Sequence, residues 1–339
     1  MTGLAHPEDL AAWQRWQDRQ HPLRSVKARL RPPGPATGVL TAGGPAPSVL
    51  VAIDSTSPSN LAALLAPVTH LDPAQVVVLS PADVRALLPD GRWTTRDWST
   101  GEPLPDVGVV VSAGHYLALG AASYDLARRR DVPFVVSQHG ALTPVAPPLP
   151  RGAVLCAWSE EDAGFWRSGR SDITSHVVGS ELLWQAGRAG HTAQVDPTAA
   201  PTYLGQLHGA ELPRRDLAAA ARDFCRATGA TYRPHPSERD RASRRIHAAW
   251  EREGIRVDRS GAPLASATTP VVGVFSTGVL EAAARGIPAW VEFPRPPDWL
   301  ADFWARYRMA QWGGPPTPAP PLAESSPARA VAALIGELS

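Results

Sequence analysis

The chain has 339 residues, 44% hydrophobic and 19% charged, a balance that suits globular units with sizeable cores and excludes a fibrous or disordered chain. Its net charge of +1 removes any overall electrostatic reason to expect nucleic acid as a partner. The only cysteines, Cys156 and Cys225, lie far apart and exclude a disulfide scaffold, and no apolar run approaches the roughly 20 residues of a membrane-spanning helix.

The opening Met1-Thr2-Gly3-Leu4 soon turns charged, so a cytoplasmic protein is expected. Trp13 to Leu30 mixes tryptophans with arginines and Lys27, the one lysine of the chain. That pattern fits a helix packed on its own domain, with peripheral contact at the inner membrane face as the alternative. Residues 31–47, rich in Pro and Gly, read as a connector. Strands follow at Ser48–Ile53, Gln75–Leu79, Val107–Ser112, Pro133–Ser137, Ala153–Trp158 and Ser175–Val178. Helices sit between them, to Leu65, over Pro81–Leu88, to Arg130 and over Glu160–Trp166. Arg188 to Ala200 lacks periodicity and marks a boundary.

The second half repeats the pattern. Strands are expected at Thr202–Leu204, Ala230–Tyr232, Val271–Phe275 and Ala289–Phe293. Helices are expected at Arg214–Thr228, Ser237–Glu253, Thr277–Arg285, Pro297–Trp312 and Pro327–Leu338. Strands alternating with helices predict an α/β fold of two Rossmann-like domains, with parallel sheets facing a central cleft. The expected organisation is 1–47 helix and connector, 48–187 acceptor domain, 188–200 linker, 201–314 nucleotide-donor domain, and 315–339 Pro-rich segment with a final helix.

Two segments carry the chemistry. In Arg233-Pro234-His235-Pro236, the prolines fix φ on both sides of His235, giving a stiff loop that aims an imidazole beside an arginine. In Ser276-Thr277-Gly278, small and hydroxyl residues open a helix, where backbone N–H groups favour phosphate. The plainer readings are a packing turn for His235 and an ordinary N-cap for Ser276. Glu281, one turn on, could accept from ribose hydroxyls or face solvent. Gly205, His208 and Gly209 form a glycine loop at the donor side, without GxGxxG spacing. Gln138-His139-Gly140 ends an earlier strand, and His139 suits a general base, or else bonds the linker. Gly114 and His115 join Gln138 and Gly140 as acceptor-side candidates, and the loop from Asp54 to Asn60 ends a neighbouring strand. No HExxH, clustered Cys/His pattern, Walker A or GxSxG is present, so no metal and no cofactor is expected. The aromatics from Trp299 to Trp312 read as a helix crossing back onto the first domain, with an acceptor groove as the alternative.

These motifs resemble the GT-B glycosyltransferases that carry a His-Pro motif and a downstream Ser/Thr motif. They include bacterial sialyl- and polysialyltransferases, capsule Kdo transferases and CDP-glycerol glycerophosphotransferases. The resemblance implies that His235-Pro236 meets the donor phosphate and nucleotide, that Ser276-Thr277 holds the phosphate, and that His139 is the base. The implied activity is metal-independent transfer of a CMP/CDP- or UDP-activated sugar or alditol-phosphate to a glycan or polyol hydroxyl, with Arg233 and His235 easing the leaving group. Two departures stand out: Glu160-Glu161-Asp162-Ala163-Gly164 only approaches the sialyltransferase base motif, and Gln138 stands where the glycerophosphotransferases have Trp. A UDP-sugar 2-epimerase shares the fold, yet needs acidic residues around the sugar that the sequence does not pick out. A non-catalytic nucleotide-sugar-binding protein is the third reading.

Overall fold

The structure, a computed structural model, describes residues 3–20, 34–190 and 194–339. It divides into two compact units. The larger holds the chain up to Leu182 together with Ala323–Ser339, and the smaller holds Leu183–Leu322.

The larger unit is built on a sheet of eight strands: β1 (Thr37–Ala42), β2 (Val49–Ala52), β3 (Val76–Ser80), β4 (Thr94–Ser99), β5 (Val109–Ser112), β6 (Phe134–Ser137), β7 (Val154–Ala157) and β8 (Thr174–Val177), in the order β4-β1-β3-β2-β5-β6-β7-β8. Every residue of β2, β3, β5 and β6 is buried, as parallel strands covered on both faces require. The sheet is mixed rather than wholly parallel. β1 runs antiparallel to β3 and β4, and it occupies residues expected as connector. β4 reads Thr-Thr-Arg-Asp-Trp-Ser, with only Trp98 buried, so a polar, charged edge strand gave no apolar signal.

Helices α1 (Leu10–Gln20), α2 (Ala118–Arg130), α3 (Glu160–Arg167) and, at the end of the chain, α9 (Pro327–Leu338) belong to this unit, which also holds the first two residues of α4 (Glu181–Ala189). Of the expected helix from Trp13 to Leu30, residues 21–30 lie outside the described ones. The run 58–70 passes from α through π to 3-10 geometry, as suits a segment containing Pro67, which lacks the N–H an α-helix would use. The helix expected over Pro81–Leu88 reduces to one 3-10 turn, Arg85–Leu87. The α9 residues Val331, Leu334 and Ile335 join the core made by β2, β3 and β5, and Glu181 receives Ser326 Oγ at 2.8 Å and Ala328 N at 2.9 Å. The division between units falls inside α4, a helix absent from the sequence reading.

The smaller unit has four parallel strands, β9 (Thr202–Leu204), β10 (Thr231–Arg233), β11 (Val271–Gly273) and β12 (Ala289–Val291), in the order β10-β9-β11-β12. Its helices are α5 (Arg214–Thr228), α6 (Arg241–Arg252), α7 (Thr277–Ala284) and α8 (Asp298–Arg306). The helix expected from Ser237 begins at Arg241, because Asp240 caps it by accepting from Ala242 N and Ser243 N. The helix expected to reach Trp312 stops at Arg306. Arg308 takes a positive φ, and Gln311 bridges to Val291 beside β12. Within the smaller unit α8 buries Leu300 and Phe303, and Trp304 Nε1 donates to Val274 O at 2.6 Å.

In each unit the chain leaves one central strand for one neighbour and returns to its other side. Such a switch opens a crevice at the carboxyl ends of the two central strands. The crevice lies between β2 and β5 in the larger unit and between β9 and β11 in the smaller.

Candidate functional site

The β9–β11 crevice is bordered by the loops 205–213, 234–240 and 274–276. β10 and β11 flank β9, so their loops stand about 10 Å apart, two inter-strand spacings. Gln206 bridges the crevice. Its buried side-chain oxygen accepts from Val274 N at 3.0 Å and Phe275 N at 2.9 Å, fixing the β9 loop to the segment that enters α7.

On the other side the anchor is Glu238, whose side chain is fully buried. Oε1 accepts from Leu207 N at 3.0 Å and His235 N at 3.3 Å, and Oε2 accepts from Tyr232 Oη at 2.9 Å and His247 Nε2 at 3.0 Å. Burial pushes this carboxyl up, but the neighbouring His208 and the hydrogen bonds from His247, Tyr232 and the His235 amide outweigh it and hold the group well below the ordinary range. It is therefore a carboxylate at neutral pH.

Above Glu238 the rings of His208 and His235 stack, centroids 3.8 Å apart and planes 14° apart. His235 Nδ1 accepts from Ser237 N at 3.1 Å, so the neutral ring carries its proton on Nε2 and presents a donor. Desolvation first, then the charge of a protonated His208, pull the His235 ring below its ordinary value, and Glu238 opposes this. His208 Nδ1 is buried, has no hydrogen-bond partner among the described residues, and lies 4.0 Å from Glu238 Oε1.

Several sequence-predicted residues take other roles. Gly205 leaves room for the Glu238 network: a Cβ there would meet the Tyr232 hydroxyl, and Glu238 Oε1 at 2.7 Å. Gly209 lies against Glu211 Oε2, which a Cβ would meet at 2.8 Å, and against the Phe275 ring. Gly278 serves helix–strand packing, since its Cβ would fall 2.8 Å from Leu204 Cδ1. Ser276 caps α7 by accepting from Gly278 N at 3.1 Å, and Val279 N bonds Ser276 O, so those two amides are spent within the turn. The Ser276 hydroxyl hydrogen and the helix dipole remain for an anion, with Thr277 opening the helix. Glu281 pairs with Arg285 at 3.3 Å. The Arg233 guanidinium donates to Ala262 O and so braces the loop after α6. Pro236 is exposed beside His235.

Two carboxyls absent from the sequence reading lie on the same edge. Glu211 follows the β9 loop beside His208 and Gly209, and Glu292 follows β12, where its N–H reaches Gly273 O at 2.9 Å. Burial pushes both above the usual carboxylate range. Among the described residues no group of three or more His, Cys, Asp or Glu is arranged to hold a metal ion, and no helix is long and apolar enough to cross a membrane.

In the larger unit several polar groups that end the strands are engaged internally. Asp54, at the end of β2, accepts from Leu119 N at 2.8 Å and Gly120 N at 2.9 Å, capping α2 rather than facing a ligand. Gly114 has φ +143° and receives Ser112 Oγ on its carbonyl. Gln138 spends its whole amide internally, Nε2 on Asp162 Oδ2 and Gly140 O, and Oε1 on Trp158 N, so it locks the β6 and β7 loops instead of holding an acceptor. His115 packs edge-on against Tyr124. Burial pushes the rings of His115 and His139 down to about 4, with Arg170 adding to the effect at His115, so both are neutral at pH 7. Each keeps a buried Nδ1 with no partner among the described residues.

Glu238 and Gln206, like Glu211 and Glu292, are residues that sequence reasoning did not place in the site. The available signal was spacing: Glu238 stands three residues after His235, one turn on, in a loop already singled out. The chain matches no protein-family model and no curated protein. Among solved structures it is similar to a UDP-GlcNAc 2-epimerase from Methanocaldococcus jannaschii, determined in complex with UDP-GlcNAc and UDP. The likeness has a TM-score of 0.50 and 8% identity, covering 85% of this chain and 99% of that one. The likeness is one of fold: two α/β units, one on a mixed and one on a parallel sheet, as in a GT-B-like architecture.

Proposed function

We propose that the chain is an enzyme of nucleotide-activated sugars whose smaller unit holds the nucleoside diphosphate in the β9–β11 crevice. One observation carries this reading: the stacked His208–His235 pair and the Ser276-capped end of α7 lie on one sheet edge, tied together through Gln206. Imidazole N–H, hydroxyl and helix dipole are the donors a departing diphosphate needs. Isomerisation at the sugar, as in a UDP-sugar 2-epimerase, is the favoured reaction. It is supported by the fold likeness and by Glu211 and Glu292, whose raised carboxyls suit proton exchange at a carbon next to the leaving group. The second reading, transfer to a hydroxyl with His139 as base, draws on that residue's neutral ring and unpartnered Nδ1.

A thermal-shift screen with CMP, CDP, UDP and GDP, followed by incubation with UDP-GlcNAc in D2O, tests the proposal. Stabilisation by one nucleotide is expected, then deuterium appearing in the sugar without any acceptor. Slow hydrolysis without deuterium favours transfer, and binding alone favours a non-catalytic protein. No stabilisation by any nucleotide withdraws the proposal.

A further inference from the structure

The loop that carries His235 runs on into a concentration of positive charge. Residues 233–245 hold five arginines against Glu238 and Asp240, an excess of three in a chain whose net charge is +1. Arg239, Arg241, Arg244 and Arg245 are exposed and make no ion pair or side-chain hydrogen bond with any described residue. The acids nearby leave them unbalanced. Asp240 caps α6 and pairs with Arg214 at 2.9 Å, and Glu238 is buried among its four donors. At the far end of α6, Glu251 is engaged by Arg259 and Glu253 by Arg222. This placement works against the helix. Arg241 and Arg244 stand in its first turn, where the dipole favours anions, and no acid offsets them there. Arg241 also lies three and four residues before Arg244 and Arg245, the spacings at which like charges on a helix repel. Solubility alone would be met by mixed signs.

We propose, resting on the nucleotide site above, that these four arginines draw a nucleoside diphosphate toward the β9–β11 crevice by their field, without touching it once bound. The range suffices. Arg239 lies four residues past His235, at most about 14 Å along the chain, and α6 adds only about 6 Å between Arg241 and Arg245. The screening length is about 30 Å at 0.01 M salt, so the whole cluster acts at the crevice whatever direction each side chain takes. An excess of one sign beside a cleft raises the association rate of an oppositely charged ligand by roughly 10–10³-fold. The class of ligand follows from the same physics. A diphosphate, with more than one negative charge, gains most, and an uncharged sugar gains nothing.

The experiment is stopped-flow association of UDP and CDP with the full chain, read by tryptophan fluorescence at about 0.01 M and about 1 M salt. The parent is compared with a variant combining Arg239→Gln, Arg241→Gln, Arg244→Gln and Arg245→Gln, and with the corresponding Arg→Lys variant. At low salt the Gln variant should associate about tenfold more slowly, with dissociation unchanged within about twofold. At about 1 M salt, where the screening length is about 3 Å, the difference should vanish. The Lys variant should keep the parental rate, because charge and not guanidinium shape sets the field. A parental rate that does not fall with salt overturns the proposal, whether or not the Gln variant folds. So does an undiminished rate in the Gln variant, or a loss that persists at high salt or in the Lys variant. Each of these leaves the nucleotide site standing. Failure of both nucleotides to bind the parent overturns this proposal and the proposed function together.

Discussion

Replacing Glu238 by Gln is the most incisive perturbation of this fold, because it removes one charge and almost no volume. The carboxylate is fully buried and accepts four hydrogen bonds. Gln keeps one acceptor oxygen for Leu207 N and His235 N, but sets an NH2 opposite Tyr232 and His247. Two routes give the magnitude. Hydrogen bonds to a charged group are each worth about 1.5–3 kcal/mol, and Gln forfeits that charge assistance. Independently, a carboxyl moved from 4.5 down to about 2 carries about 3 kcal/mol of folding free energy. We expect a loss of about 3 kcal/mol, centred on the smaller unit. A two-unit chain is not guaranteed a two-state transition, so the assay is amide hydrogen exchange across β9, β10 and the Leu207 and His235 amides. Exchange there should quicken by roughly a hundredfold, with the core of the larger unit unaffected. The pH dependence is a second check. Because the folded value is depressed, the Glu238 contribution is fully present above about 4.5 and drains away as pH falls toward about 2. The Gln variant should lack that acid-dependent loss. An exchange change below about threefold, or an unaltered acid profile, would refute the reasoning.

Gly205→Ala should destabilise the same unit by about 1–3 kcal/mol, because the new methyl meets a carboxylate pinned by four donors; Gly278→Ala should cost less, since the opposing atom is the flexible end of Leu204. Urea unfolding that ranks the two in the opposite order would show that the Glu238 network yields more readily than Leu204. Asp54→Ala should cost about 1–2 kcal/mol and speed exchange in the first turn of α2, which loses its cap. Burial holds the Asp54 carboxyl above its ordinary 3.8, so its contribution weakens as pH rises through that window, and the alanine variant should lose this dependence. An unchanged exchange rate at Leu119 and Gly120 would mean that the cap contributes nothing.

Much of the architecture is legible in local pattern. The Val-rich runs at 49–52, 76–80 and 109–112 can only be covered strands, and the Ala-rich runs at 214–228 and 277–284 can only be helices. The features that escaped are those whose cause is not local. β4 is polar and is a strand only because β1 offers it an edge, while β1 hides among Pro and Gly. The His-Pro and Ser/Thr loops were readable as chemistry, yet several assignments within them shifted on contact with neighbours. The absent side chains of Gly205 and Gly278 admit protein atoms, and Arg233 is spent on Ala262.

What the sequence determined by itself is the alternation of strands and helices and the identity of the polar groups that end each strand, because backbone periodicity and loop stiffness act over a few residues. What only the tertiary structure decided is which of those groups remain available. Gln138 and Asp54 are consumed inside the larger unit, whereas the His208–His235 stack is left over a buried carboxylate in the smaller. Hydrogen-bond partners far apart in the chain settle that outcome, and a strand order that places β9 between β10 and β11 brings them together.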